Sequence, residues 1–280
     1  MNKTNLIIFI LLVFLGGLVI AIYFQSQQVS EPLPLDVQPV PAREPVKNPI
    51  VHYPVPDSTT TPAVLPPEQK DTKTEPVDQQ LSEATPAVQK NDKNFQAALT
   101  NSLSSQTDNK LLQMENFIQR FVVTIDNLPE KRLPRAHLPL KAPGGKFLVA
   151  GTPEAPQASS RNYKRYSIYV TLLESIDRDL TIKFYAYFYP LFQTAYEQLG
   201  YKNAYFNDRL VYVIDHLLTV PNPPDPIQLA QPSVLFTYAD PTLENLSSGQ
   251  KILLRLGSEQ RVKVLNILKS YRGELTSLNP

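Results

Sequence analysis

Residues 6–24 carry no charged side chain and almost no polar atom, and a stretch of that kind has few destinations. About 20 apolar residues wound into a helix match the hydrocarbon thickness of a bilayer, so one transmembrane helix is expected here. A secretory signal has an apolar core of roughly 7–15 residues and a small-x-small cleavage site beyond it. Here the run is longer, and Gln25, Ser26, Gln27 and Gln28 follow it. The expectation is an uncleaved anchor. Lys3 and the terminal amine precede the span, whereas the first cation after it is Arg43. That asymmetry keeps residues 1–5 in the cytoplasm and carries the remainder across the membrane.

Residues 25–93 are poor in aromatics and rich in Pro, Gln, Thr, Val and mixed charge, a composition that buries too little surface to offset ordering entropy. A disordered, proline-rich linker is expected, biased toward extended polyproline segments. One island interrupts it: Ile50, Val51, His52 and Tyr53, between prolines. A short docking motif is one reading of that island, and a chance cluster in a spacer is the favoured one. Residues 94–280 are enough for one domain with a proper core. The chain has no cysteine, so disulfides, thiolate metal sites and cysteine nucleophiles are excluded. A formal net charge of +1 speaks against a nucleic-acid partner, which calls for a strong basic field.

The domain reads as mainly α, with a small, short-stranded antiparallel β element. Asp108 is placed to cap a helix carrying Leu111, Leu112, Phe117, Ile118, Phe121, Ile125 and Leu128, which stops at Pro129. Prolines then forbid a regular helix as far as Pro143; residues 146–150 form a strand and residues 152–160 a loop. Tyr163, Tyr166, Val170, Leu173 and Ile176 mark a helix, and Asp177 or Asp179 caps the next. That next helix, over residues 180–199, has two apolar stripes, one bearing Tyr185, Tyr189, Phe192 and Tyr196. Pro190 should kink or split it, and Gly200 suits its end. Asn207 caps a helix with Leu210, Val211, Ile214, Leu217 and Leu218. Residues 227–229 and 234–238 are short strands that can pair with 146–150. Ser247 and Gln250 have capping-box spacing, Gly257 closes that helix, and Ser258 caps a last one with Val262, Leu265, Leu268 and Tyr271.

Tyr196, Leu199, Gly200 and Tyr201, then Phe206, Asn207, Asp208, Arg209 and Leu210, then Ile214, Asp215, His216 and Leu217 resemble the central block of a bacterial envelope family, the domain of unknown function 3014. The resemblance runs from about residue 117 to residue 275. It implies a Gram-negative inner-membrane protein built as an anchor, a variable proline-rich tether and this domain. The family has no assigned activity, so the resemblance supplies no catalytic residues.

The densest polar cluster lies on the helix that Asn207 opens. Asp208, Tyr212 and Asp215 share one face at steps of four and three, with Arg209 and His216 beside them. This set is the candidate binding site. A general acid/base pair or a polar ligand pocket is the functional reading. The favoured structural reading has Arg209 paired with an acid elsewhere and Asp208 stabilising the helix start. Asp215 and His216 are adjacent, about 100° apart on a helix, so they make no two-ligand metal face. Neither a metal nor a cofactor is expected, and no catalytic residue is assigned. Glu174, Asp177 and Asp179 form a second acidic group that would suit glycan hydrolysis, though capping accounts for the two aspartates. Lys131, Arg132, Arg135, His137, Lys141 and Lys146 form a basic stretch that would suit anionic headgroups, glycans or an acidic protein; a solvated proline-rich loop is the favoured reading. The tyrosine stripe suits sugar stacking or a partner, with a doubly packed core helix as the default. The leading expectation is a non-catalytic interaction or scaffold module in the periplasm, binding another envelope protein or a cell-wall component. The competing one is a periplasmic hydrolase acting on a cell-wall component.

Overall fold

The computed structural model describes residues 52–54, 92–102, 111–141, 145–175 and 177–278. Residues 6–24, Asp108 and Ile176 lie outside them. Among the described residues eight α-helices can be followed, besides a 3-10 turn at Arg135–His137: α1 (Asp92–Ser102), α2 (Phe117–Asn127), α3 (Arg161–Glu174), α4 (Arg178–Gln198), α5 (Phe206–Leu218), α6 (Pro241–Glu244), α7 (Ser248–Arg255) and α8 (Ser258–Thr276). Four short strands make two antiparallel pairs, β1 (Val149–Thr152) with β2 (Ala155–Ala158) and β3 (Leu229–Ala230) with β4 (Thr237–Tyr238).

Helix α5 is central. Leu210, Val211, Val213, Ile214 and Leu217 are buried, and so are the polar residues of its first turn, which leaves Tyr212 as its exposed side chain. A helix covered on nearly every side belongs inside a bundle. It packs against α2, α4 and α8, while α2 also packs along α4, and α8 along α3. Phe95 of α1 is fully buried in an aromatic box, its ring 5.2–5.8 Å from those of Phe117, Phe184, Phe188 and Phe192. Rings at such spacings add to the gain from burial alone. Phe95 and the equally buried Ala98 fasten α1, which begins at Asp92, just inside the stretch expected as linker.

Several local expectations need correction. Leu111 and Leu112 do not belong to α2. Leu112 makes a β-bridge with Leu140, Gln113 N–H donates to the Pro139 carbonyl at 2.8 Å, and Asn116 turns the chain at φ 51° before the helix starts. A proline-rich segment cannot donate from every residue, so 139–141 holds the incoming chain by accepting at the Pro139 carbonyl and donating from Lys141 N–H to the Leu111 carbonyl at 2.7 Å. Ala155–Ala158, expected as loop, is the strand that pairs with β1. The second pair reaches the first through β2: Ala158 N–H donates to the Ile227 carbonyl and Gln157 bridges Gln228, so 146–150 is not its partner. Helix α4 runs through Pro190 as one element. Asp177 does cap it, its Oδ1 accepting from Leu180 N–H at 3.0 Å, and Gly200 follows it at φ 107°. Both apolar stripes of α4 are buried, with Tyr185, Tyr189 and Tyr196 at 3% exposure or less, so the tyrosines are core and present no stacking platform.

The capping box at Ser247 and Gln250 is formed in both directions. Ser258, in contrast, is the first residue of α8 and caps nothing; Gly257 holds the cap position at φ 79°, and Asp225 accepts from Ser258 N–H at 2.6 Å. Along α8 the buried stripe is Arg261, Val264, Leu268, Tyr271 and Leu275, with Val262 turned outward. Arg261 is buried because its guanidinium finds Asn222 Oδ1 at 2.6 Å and the Pro223 carbonyl at 3.3 Å.

Candidate functional site

Asn207, Asp208 and Arg209 are consecutive and buried in the first turn of α5. A buried polar atom left without a partner costs about 1–3 kcal/mol, so the identity of each partner decides what the site is for. The helix start itself is secured from α4. Gln193 Oε1 accepts from Phe206 N–H and from the Tyr189 hydroxyl, both at 2.9 Å, while its Nε2 donates to the Ala204 carbonyl at 2.9 Å. Tyr205 holds the N-cap position without a side-chain bond, so Asn207 is not the cap. That releases the Asn207 amide for other contacts.

Those contacts join three parts of the chain. Asn207 Oδ1 accepts from the Tyr185 hydroxyl at 3.3 Å, and Nδ2 donates to the Leu275 carbonyl of α8 at 3.2 Å and to the Pro54 carbonyl at 3.0 Å. Burial pushes the Tyr185 phenol well above its usual range, so it remains a donor. Asp208, 7% exposed, faces the same upstream segment. Its Oδ1 accepts from Tyr53 N–H at 2.7 Å, and its Oδ2 stands 2.9 Å from His52 Nδ1. The imidazole also lies against the Tyr205 ring, centroids 4.2 Å apart. Tyr53 packs at the edge of the core, and its phenol lies within electrostatic reach of Arg272. His52 and Tyr53, from the island favoured as a chance cluster in a spacer, are therefore seated on the first turn of α5; Ile50 and Val51 lie outside the described residues.

The other members of the expected stripe look elsewhere. Arg209 turns inward, Nε 2.9 Å from Asp126 Oδ1 and Nη2 donating to the Asp126 carbonyl at 2.6 Å. Tyr201 donates to the other oxygen of Asp126 at 3.2 Å. Tyr212 is 42% exposed, with the Arg209 guanidinium 5.1 Å from its ring centre. Asp215 makes a two-pronged pair with Arg272 of α8, at a half-exposed position where such pairs are worth little. His216 Nε2 lies 2.8 Å from Ser247 Oγ, joining α5 to the cap of α7. Burial, and then the charge of Arg209, lower its pKa; Glu130 opposes them. The structure thus divides the six residues, and only Asn207 and Asp208 act together on one object. Sequence spacing missed the roles of Asp126, Ser247 and Arg272, which arrive from other elements, and of Tyr205, the N-cap of α5 itself. Ser247 was legible as a cap but not as the partner of His216, and Asp126 left a trace as an acid among the apolar residues of α2.

Among the described residues no group of three His, Asp or Glu side chains stands ready to hold a metal ion. The second acidic group is dispersed as well: Glu174 pairs with Lys263 at 3.3 Å, Asp177 is a cap, and Asp179 is exposed. Of the basic stretch, Lys131 and Arg132 line a cleft of about 220 Å³ together with Lys251, Arg255, Glu244 and Ile252. Lys251 there is paired with Glu244.

A mainly helical domain that uses buried polar groups to hold a short piece of upstream chain is the class that fold and site define. The chain belongs to the family described as Protein of unknown function (DUF3014), whose profile matches residues 117–272. That span includes α2 to α5 and nearly all of α8, and with them Asn207 and Asp208; residues 52–54 and α1 fall outside it. No curated protein and no solved structure matches the chain.

Proposed function

We propose that this protein is a non-catalytic interaction or scaffold module of the bacterial cell envelope, held in the cytoplasmic membrane by residues 6–24 with its domain in the periplasm. The observation that carries the reading is what Asn207 and Asp208 touch. Between them they bind a main-chain N–H, a main-chain carbonyl and an imidazole, which are the groups that a peptide-binding site engages. Pairing supports the same reading, because Arg209, Asp215 and His216 are each committed to a structural partner. A long tether suits a binder that must meet its partner at variable distance.

Two measurements test it. A photo-crosslinker placed at Tyr212, the exposed residue of α5, should capture one stoichiometric envelope protein in living cells. Turnover of a wall fragment by the purified chain, lost on Asp215→Ala, would overturn the reading in favour of a hydrolase. A reporter fused after Pro280 and active only outside the cytosol tests the orientation. Activity of a cytosol-specific reporter at the same place would refute it.

A further inference from the structure

We infer that residues 52–54 are a built-in ligand: the Asn207–Asp208 site recognises an extended His-Tyr-Pro segment of peptide, and the chain's own tether occupies it in cis. The inference rests on the interaction-module reading and names the ligand class of that module.

Each position of the segment is read by different chemistry. At Tyr53 the main-chain N–H is bound by a carboxylate oxygen, and at Pro54 the main-chain carbonyl is bound by an amide donor. Reading an N–H and the next residue's carbonyl fixes both the direction and the register of the backbone. At His52 the side chain itself is selected, by Asp208 Oδ2 on one side and the Tyr205 ring on the other. Proline at the third position brings no N–H that would need a partner, and it biases the residue before it toward extended backbone. The segment therefore arrives partly organised for the site. Both oxygens of Asp208 are taken up by the segment. With the segment seated, Asp208 is 7% exposed; without the segment, its oxygens draw their hydrogen bonds from water or from another ligand of the same kind.

The contact is also small enough to be exchanged. It comprises three polar contacts, one ring contact and the packing of the Tyr53 side chain at the edge of the core, and it closes a loop back to Asp92, so seating opposes chain entropy. A tethered segment competes at an effective concentration on the order of millimolar. If it is seated about nine-tenths of the time, a free peptide loses about tenfold in apparent affinity. Seating also sets reach. At a ceiling of about 3.6 Å per residue, the chain from Phe24 to His52 spans at most roughly 100 Å, against roughly 240 Å from Phe24 to Asp92. A competing His-Tyr-Pro segment on a partner would both take the site and lengthen the leash.

The test uses the full-length chain in mild detergent and a fluorescent peptide of residues 46–58, followed by anisotropy. The variant H52A/Y53P, whose own segment lacks the imidazole and the N–H, should bind the peptide about tenfold more tightly than the unaltered chain does. The same peptide N-methylated at the Tyr53 nitrogen loses one donor and leaves the protein untouched, and it should not bind. No binding by H52A/Y53P, or equal binding of the N-methylated peptide, would overturn the ligand class. An envelope protein still captured at Tyr212 in that case would leave the interaction-module reading standing. A dimer that dissociates on Y53P would overturn seating in cis, because the segment would then come from a second copy.

Discussion

Asp126 and Arg209 are each about 5% exposed, and a charge so placed is tolerated only with a partner. Truncating one of them strands the other. Arg209→Ala should therefore destabilise the domain by about 3–5 kcal/mol, read as a shift of the urea midpoint. Replacing both, as in D126L together with R209M, should recover much of that loss, since well-packed apolar side chains often match a buried pair. His216 makes a different prediction. Its folded pKa is lowered, so between the unfolded value of about 6.5 and the folded value the unfolded chain binds the extra proton. The stability that His216 contributes is present above about pH 6.5 and is lost as pH falls through the folded pKa. Thermal midpoints at pH 7.5 and 5.5 should differ by less in His216→Gln than in the unaltered chain.

Among the elements, α7 shows most plainly how packing overrides local propensity. Its first amides meet the last carbonyls of α2 and the turn beyond: Gly249 N–H donates to Leu128 O at 2.9 Å and Ser248 N–H to Glu130 O at 2.7 Å. Contact that close leaves no room at Gly249. An added Cβ would lie 2.6 Å from Leu217 Cδ2 and 3.1 Å from Leu128 O. Helix propensity alone makes Gly249→Ala stabilising by up to about 1 kcal/mol. Crowding between α2 and α5 reverses the sign, and a net loss of about 1–2 kcal/mol is expected in chemical denaturation.

The same competition explains what the sequence disclosed about these elements. Where a signal is local, it was legible: the Asp177 cap, the Ser247–Gln250 box and the apolar periodicity of α2 and α5 can each be read within one stretch. Where the partner comes from afar, it was not. Leu112 leaves the helix for Leu140, Asp225 supplies the bond expected of Ser258, and Arg261 takes the place in the core that Val262 seemed made for. The candidate site follows the same rule. Periodicity placed Asp208, Tyr212 and Asp215 on one face, but Asp126, Ser247 and Arg272 pulled Arg209, His216 and Asp215 to separate duties. The one ligand-like contact came from an island more than 150 residues away in the chain, where no pattern spans the gap.

At the scale of the whole molecule, the account joins three regions: a proposed anchor at residues 6–24, the chain that follows it, and a helical domain that seats residues 52–54 of that chain. Its central claim is that Asp208 and Asn207 are recognition groups for peptide backbone. The Tyr53 amide reports on this most directly, because its hydrogen is the one Asp208 accepts. Hydrogen–deuterium exchange of the full-length chain should show that amide exchanging about tenfold or more slowly than in a free peptide of residues 46–58, with protection lost on Asp208→Ala. Exchange at the free-peptide rate in the unaltered chain would contradict the account.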